Sequence, residues 1–202
     1  MTRLLRFAAA AVLVGGATAV LSACSGDPEP IVTETPSPTA TVVSQSPTPT
    51  PTLTAEEELL AQIPEDARGE DFASATQFSR FFIELYPGLF AVDPQTELFA
   101  LLSAPSCQFC SGALADSTDT AAVSAHSEGG AFTWLGAVLR GGLLDDGFWY
   151  VTQDFEVTDT VTYLADGTED HISRGGSGEV GVKLSWDGGS WHVHGIEFVY
   201  DD

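Results

Sequence analysis

Residues 179–200 read EVGVKLSWDGGSWHVHGIEFVY, and they decide the fold. Val180, Val182, Leu184 and Trp186 alternate with Glu179, Lys183 and Ser185, the two-residue period of a strand with one buried face. Asp187-Gly188-Gly189-Ser190 has turn composition, so the chain reverses there. Trp191 and Val193 resume the inward face, whereas Ile196, Phe198 and Tyr200 sit on the opposite parity, and one residue has to be absorbed between the two sets. Gly195 marks the expected bulge. Upstream, Phe132, Trp134 and Val138 share one face of a strand, and Trp149, Val151, Phe155 and Val157 one face of another. Asp166-Gly167 is expected to turn a small exposed hairpin, and Arg174 to Gly178 reads as a loop.

Before residue 124 the period changes to that of helices. Thr54-Ala55-Glu56-Glu57 is a capping box for a short helix running toward Ile63, which Pro64 ends. Phe72, Ala75, Phe78, Phe82 and Leu85 or Tyr86 recur at helical spacing within a helix from Asp71 to Tyr86, stopped by Pro87-Gly88. Asp93 before Pro94 reads as the cap of a third helix carrying Leu98, Phe99, Leu101 and Leu102. Ser106 reads as the cap of a fourth, from Cys107 to about Val123. Helices followed by an antiparallel meander predict an α+β domain, in which N-terminal helices pack on a curved antiparallel sheet of about four strands.

The remaining chain reads as an address and a spacer. Arg3 and Arg6 precede an apolar run from Phe7 to Leu21 and the small residues Ser22 and Ala23, which is signal-peptide anatomy. The run is interrupted by Gly15-Gly16 and is shorter than the 20 or so residues of a spanning helix. Leu21-Ser22-Ala23-Cys24 resembles the lipobox of bacterial lipoproteins, which implies diacylglycerol on the Cys24 sulfur and cleavage before it. Residues 25–54 are nearly all Pro, Thr, Ser, Val, Ala and acid, with too little apolar surface to fold. Extended as polyproline, such a stalk reaches roughly 90 Å. The expected organisation is a signal peptide over 1–23, a lipidated cysteine and stalk over 24–54, and a globular domain over 55–202. Cleavage would remove two of the seven basic residues and none of the 29 acidic ones. So acidic a chain disfavours nucleic acid, whose phosphates need Lys and Arg. No calcium-loop pattern occurs.

Four features follow one another along the domain: the aromatic helix from Phe78 to Tyr86, the Ser103 to Cys110 segment, the acidic-Gly-Gly turn Glu128 to Gly130, and the Trp186 to Trp191 hairpin. In these the domain resembles a family of actinobacterial lipoproteins of unknown function, whose Ser-x-x-Cys-x-x-Cys segment is one residue shorter. Their order is also similar to the nuclear transport factor two-like, or cystatin-like, α+β cone. That fold hosts enzymes, ligand-binding modules and adaptors, so it implies no single function.

With Cys24 lipidated, Cys107 and Cys110 are the remaining thiols, and an oxidising envelope favours a disulfide between them. The alternative is a thioredoxin-like redox pair, but its usual setting, a strand leading into Cys-x-x-Cys within a βαβ unit, is missing. His192 and His194 project from one strand face, yet two nitrogens fall short of the three or four ligands zinc needs. Gly175-Gly176-Ser177-Gly178-Glu179 fails the G-x-S-x-G pattern at its last position, and Lys183, the single lysine, has no Ser at S-x-x-K spacing. No catalytic residue, metal or cofactor is therefore assigned. The expectation is a non-catalytic module that binds a small molecule or an envelope protein, tethered to the membrane through the lipid on Cys24. Any pocket is expected between the curved sheet and the helices, with Tyr86, Trp134 and Trp149 as candidate lining residues. The enzyme alternative would place Asp154 or Glu156 beside a substrate.

Overall fold

The computed structural model describes residues 53–201. The signal segment, Cys24 and most of the stalk lie outside the described residues, as do the side chains of 137–139, Val138 among them. Four helices come first: α1 (Ala55–Leu60), α2 (Phe72–Glu84), α3 (Thr96–Leu102) and α4 (Gln108–Ala122). Seven strands follow: β1 (His126–Gly129), β2 (Phe132–Leu143), β3 (Trp149–Val157), β4 (Thr160–Tyr163), β5 (Glu169–Ser173), β6 (Gly176–Trp186) and β7 (Trp191–Tyr200). The class is α+β, with antiparallel sheets after the helices. No helix among the described residues is long and apolar enough to cross a membrane.

Local chemistry accounts for the helix starts. In α1 the Thr54 hydroxyl accepts from the Glu57 amide while the Glu57 carboxylate accepts from the Thr54 amide, the reciprocal cap expected of this sequence. In α2 the Asp71 carboxylate accepts from the Ser74 amide at 2.8 Å. Two expected caps are corrected. α3 begins at Thr96 behind Gln95, not at Pro94 behind Asp93, because the Gln95 amide donates to the Gly88 carbonyl at 3.2 Å and ties the approach to the preceding turn. α4 is capped by Cys107, whose sulfur accepts from the Cys110 amide, and the Ser106 hydroxyl goes to His194 instead.

The large sheet has the order β2-β3-β6-β7, and every pair in it is antiparallel. Lys183 pairs with Gly195 and Leu184 with Val193, so His194 is the extra residue, and the parity change that the sequence required falls beside Gly195. The segment from Arg174 to Gly178 is not simply a loop: β6 already begins at Gly176. A Cβ on Gly178 would lie 2.3 Å from the Val199 carbonyl oxygen, so glycine here permits close strand approach. The expected count of about four strands matches this sheet alone. A second, three-stranded sheet of order β1-β4-β5 was not expected in full, although the turn at Asp166-Gly167 does join β4 to β5. β1, with the sequence HSEG, has no apolar alternation to announce it.

The helices cover one face of the large sheet. Val151 and Phe155 of β3, Val180, Val182 and Leu184 of β6, and Trp191 and Val193 of β7 are all at most 2% exposed. Against them pack Phe78 and Phe82 of α2, Phe99 of α3, and Cys110 of α4. Phe82 stacks on Phe99 with 4.4 Å between centroids, and Phe78 meets Trp191 at 6.3 Å. Among the described residues, the Trp191 indole nitrogen is the one fully buried side-chain polar atom left without a hydrogen-bond partner, and the Trp149 and Trp186 rings surround it.

Candidate functional site

The space between the helices and the large sheet is filled by rings and aliphatic side chains. A cleft opens on its flank, where the small sheet stands beside α4 and the turn after α2. This cleft encloses about 400 Å³, within the size range of small-ligand sites. Tyr86, Pro87 and Phe90 come from the turn after α2, and Asp116 and Thr120 from α4. Ser127, Thr160, Thr162 and Ser173 are supplied by the small sheet, and Phe132, Val157 and Tyr200 by the ends of the large one.

Two glycines bring these walls together. Gly129, at φ +92°, has the Asp159 carbonyl oxygen 2.1 Å from where a Cβ would stand, and Gly130, at φ +71°, has the Thr160 hydroxyl at 2.8 Å. A side chain at Gly129 would force β1 away from the backbone that leads into β4, and one at Gly130 would have to displace the Thr160 hydroxyl. At the rim the Asp159 carboxylate accepts from the Arg174 guanidinium at 2.6 Å and from the Gly175 amide at 2.8 Å, the amide bond being the larger cause of its lowered pKa. Across the small sheet the Ser127 and Thr162 hydroxyls bond each other at 3.0 Å. Tyr86 is half-buried, with its ring 5.4 Å from both Phe90 and Phe109. Burial, followed by the Asp116 charge and by Tyr200, pushes its phenol pKa up, so it stays protonated and able to donate.

Of the three aromatic residues named from sequence, Tyr86 lines this cleft and the other two do not. The Trp134 indole donates to the Glu84 carboxylate at 2.7 Å, and its ring lies 5.7 Å from the Arg80 guanidinium carbon. Trp149 stands edge-on to Trp191. The hydroxyls of β1, β4 and β5 carry no sequence signal of their own; they come together only through the small sheet.

The remaining candidates are dispersed. Cys107 and Cys110 are joined in a disulfide, with 5.2 Å between their Cα atoms, and each is 1% exposed. His192 pairs with Asp187 at 2.9 Å, whereas His194 is held by the hydroxyls of Ser106 at Nδ1 and Ser185 at Nε2. Burial, with Lys183 and His192 adding to it, lowers the His194 pKa. Among the described residues no three His, Cys, Asp or Glu side chains converge on a metal position. Asp154 shares Arg140 with Glu179 on the outer face of the large sheet, away from the cleft. Every resolved carboxylate shift is downward: the carboxyls of Glu57, Asp146, Asp159, Asp166 and Asp187 are all stabilised as anions by hydrogen bonds. None of these five is tuned to donate a proton at neutral pH.

No family model matches the chain, and no curated protein matches it. Among solved structures, the intermembrane space region of the chloroplast protein ARC6 is similar at 11% identity and a TM-score of 0.45, over 62% of this chain and 97% of that one. A periplasmic fragment of TraM matches at 12% identity and a TM-score of 0.42, over 63% and 96%. Aln2 from a Streptomyces species matches at 13% and 0.40, over 63% and 88%. Likenesses this distant transfer no function.

Proposed function

We propose that the chain is a lipoprotein of the extracytoplasmic membrane face, anchored through lipid on Cys24 and related to the actinobacterial lipoproteins it resembles. Its domain is a cone of the nuclear transport factor two-like type and works as a non-catalytic ligand-binding module. The ligand occupies the flank cleft, not the space beneath the helices. One observation carries the reading: rings fill the helix–sheet interface, while polar side chains of both sheets and α4 converge on an open cleft of about 400 Å³. The buried disulfide favours a structural role for Cys107 and Cys110.

Two measurements on the full chain test this reading. Cys24→Ala is expected to abolish metabolic labelling with fatty acid and to release the protein from the membrane fraction; retention without label would overturn the anchor. In a thermal-shift screen of small envelope molecules, a stabilising compound raises the melting temperature by mass action. That rise is expected to vanish in Ser173→Trp, where an indole fills the cleft from the exposed strand β5. A rise that survives the substitution would move the site elsewhere.

A further inference from the structure

Resting on that reading, we infer that the flank cleft takes a neutral saccharide unit, its carbon face against the Tyr86 and Tyr200 rings and its hydroxyls on the surrounding hydroxyl side chains. Charge restricts the ligand first. Asp116 and Arg174 are the charged residues of the lining, and Arg174 is already paired with Asp159. The lining therefore holds no unpaired cation for a phosphate or a carboxylate, and the chain's net charge of −22 repels anions further.

The wall chemistry then narrows the class. Eight of the sixteen lining residues carry a hydroxyl, and four carry an aromatic ring. Thr160, Ser173, Tyr86 and Tyr200 donate to no partner among the described residues, and the Asp116 carboxylate accepts from none. A half-buried phenol ordinarily finds a partner. Each hydroxyl donates once, accepts twice and rotates to suit, which matches a ligand whose own hydroxyls ring its edge and behave in the same way. The rings of Tyr86, Phe90, Phe132 and Tyr200 line the same cleft and supply apolar surface for the C–H face of a sugar ring. An aliphatic ligand would leave the hydroxyls and Asp116 desolvated and unpaired, at a cost for each group.

Saturation-transfer NMR on the full chain tests the inference, in micelles of lauryldimethylamine oxide, a detergent that carries no sugar. The probes are maltotriose, chitotriose and mannotriose, with choline and trialanine as controls of other chemistry. At least one saccharide is expected to receive saturation, most strongly at its ring C–H protons. Tyr200→Ala, at a position already 55% exposed, should keep the fold and weaken binding about tenfold. Tyr86→Phe keeps the ring and should weaken it about fivefold. Ser173→Trp should abolish it. Silence from all three saccharides, or transfer unchanged in Ser173→Trp, overturns the inference. Choline or trialanine bound in a Ser173→Trp-sensitive manner would overturn the saccharide class while leaving a ligand-binding cleft. The absence of any cleft-dependent binding would overturn both.

Discussion

The two sides of the large sheet's helical layer differ in kind. Beneath α2 and α3, Phe78, Phe82, Phe99, Phe155 and Trp191 are at most 1% exposed, and interlocking rings leave nothing to be filled. A few residues away, beside the small sheet, Thr160, Thr162 and Ser173 face an opening with Tyr86 at its edge. The first region is built from apolar groups whose burial drives folding. The second is built from polar groups of an extra sheet that adds little to the core. The fold thus keeps the interior for stability and places its adaptable chemistry on an attached flank, where side chains can change without loosening the core.

Substitutions should separate the two regions by size of effect. Phe82→Ala removes the ring stacked on Phe99 and should cost about 3 to 5 kcal/mol in urea denaturation. A loss under 1 kcal/mol would mean that the interior is looser than described. The paired change Cys107→Ala with Cys110→Ala opens a loop with a sequence separation of 3, and so short a ring is worth about 2 kcal/mol. Smaller still is Asp187→Ala at the β6–β7 turn. Amides of Ser190 and Gly189, then His192, hold the Asp187 carboxyl at about 2, below its ordinary 3.8. The contribution is therefore complete above about pH 4 and is lost as the pH falls through 2. With 55% of this side chain exposed, solvent screening holds it to about 1 kcal/mol. Acid titrations of wild type and variant should converge near pH 2; a gap of constant size would remove the carboxylate from the account. Ser173→Trp should change stability by no more than about 0.5 kcal/mol while closing the cleft, and a larger loss would tie the small sheet to the core.

The same division governs what could be read from the sequence. The large sheet and α2 were legible because burial on one face imposes a period: Val180, Val182 and Leu184 alternate, and Phe78 and Phe82 recur a helical turn apart. Even the bulge was legible, since Trp191 and Phe198 could not share a face without an extra residue. The small sheet imposes no such period. All of β5 is exposed, β1 holds no large apolar residue, and the Ser and Thr hydroxyls of the cleft are spread over the stretch from Thr120 to Ser173. Trp134 and Trp149 drew attention by their size, but large rings are used first for packing, and the structure packs both. Tyr86 differs because its ring lies at the boundary between the filled and the open region.

Amide chemical-shift mapping with a stabilising compound distinguishes ligand entry beside the small sheet, as proposed, from entry beneath the helices. Entry beside the small sheet predicts perturbations confined to Tyr86–Phe90, Asp116–Thr120, Thr158–Tyr163 and Ser173, with the amides of α2 from Ala75 to Ile83 and of β3 from Val151 to Phe155 unmoved. Shifts running through α2 and β3 would place the ligand within the core and contradict it.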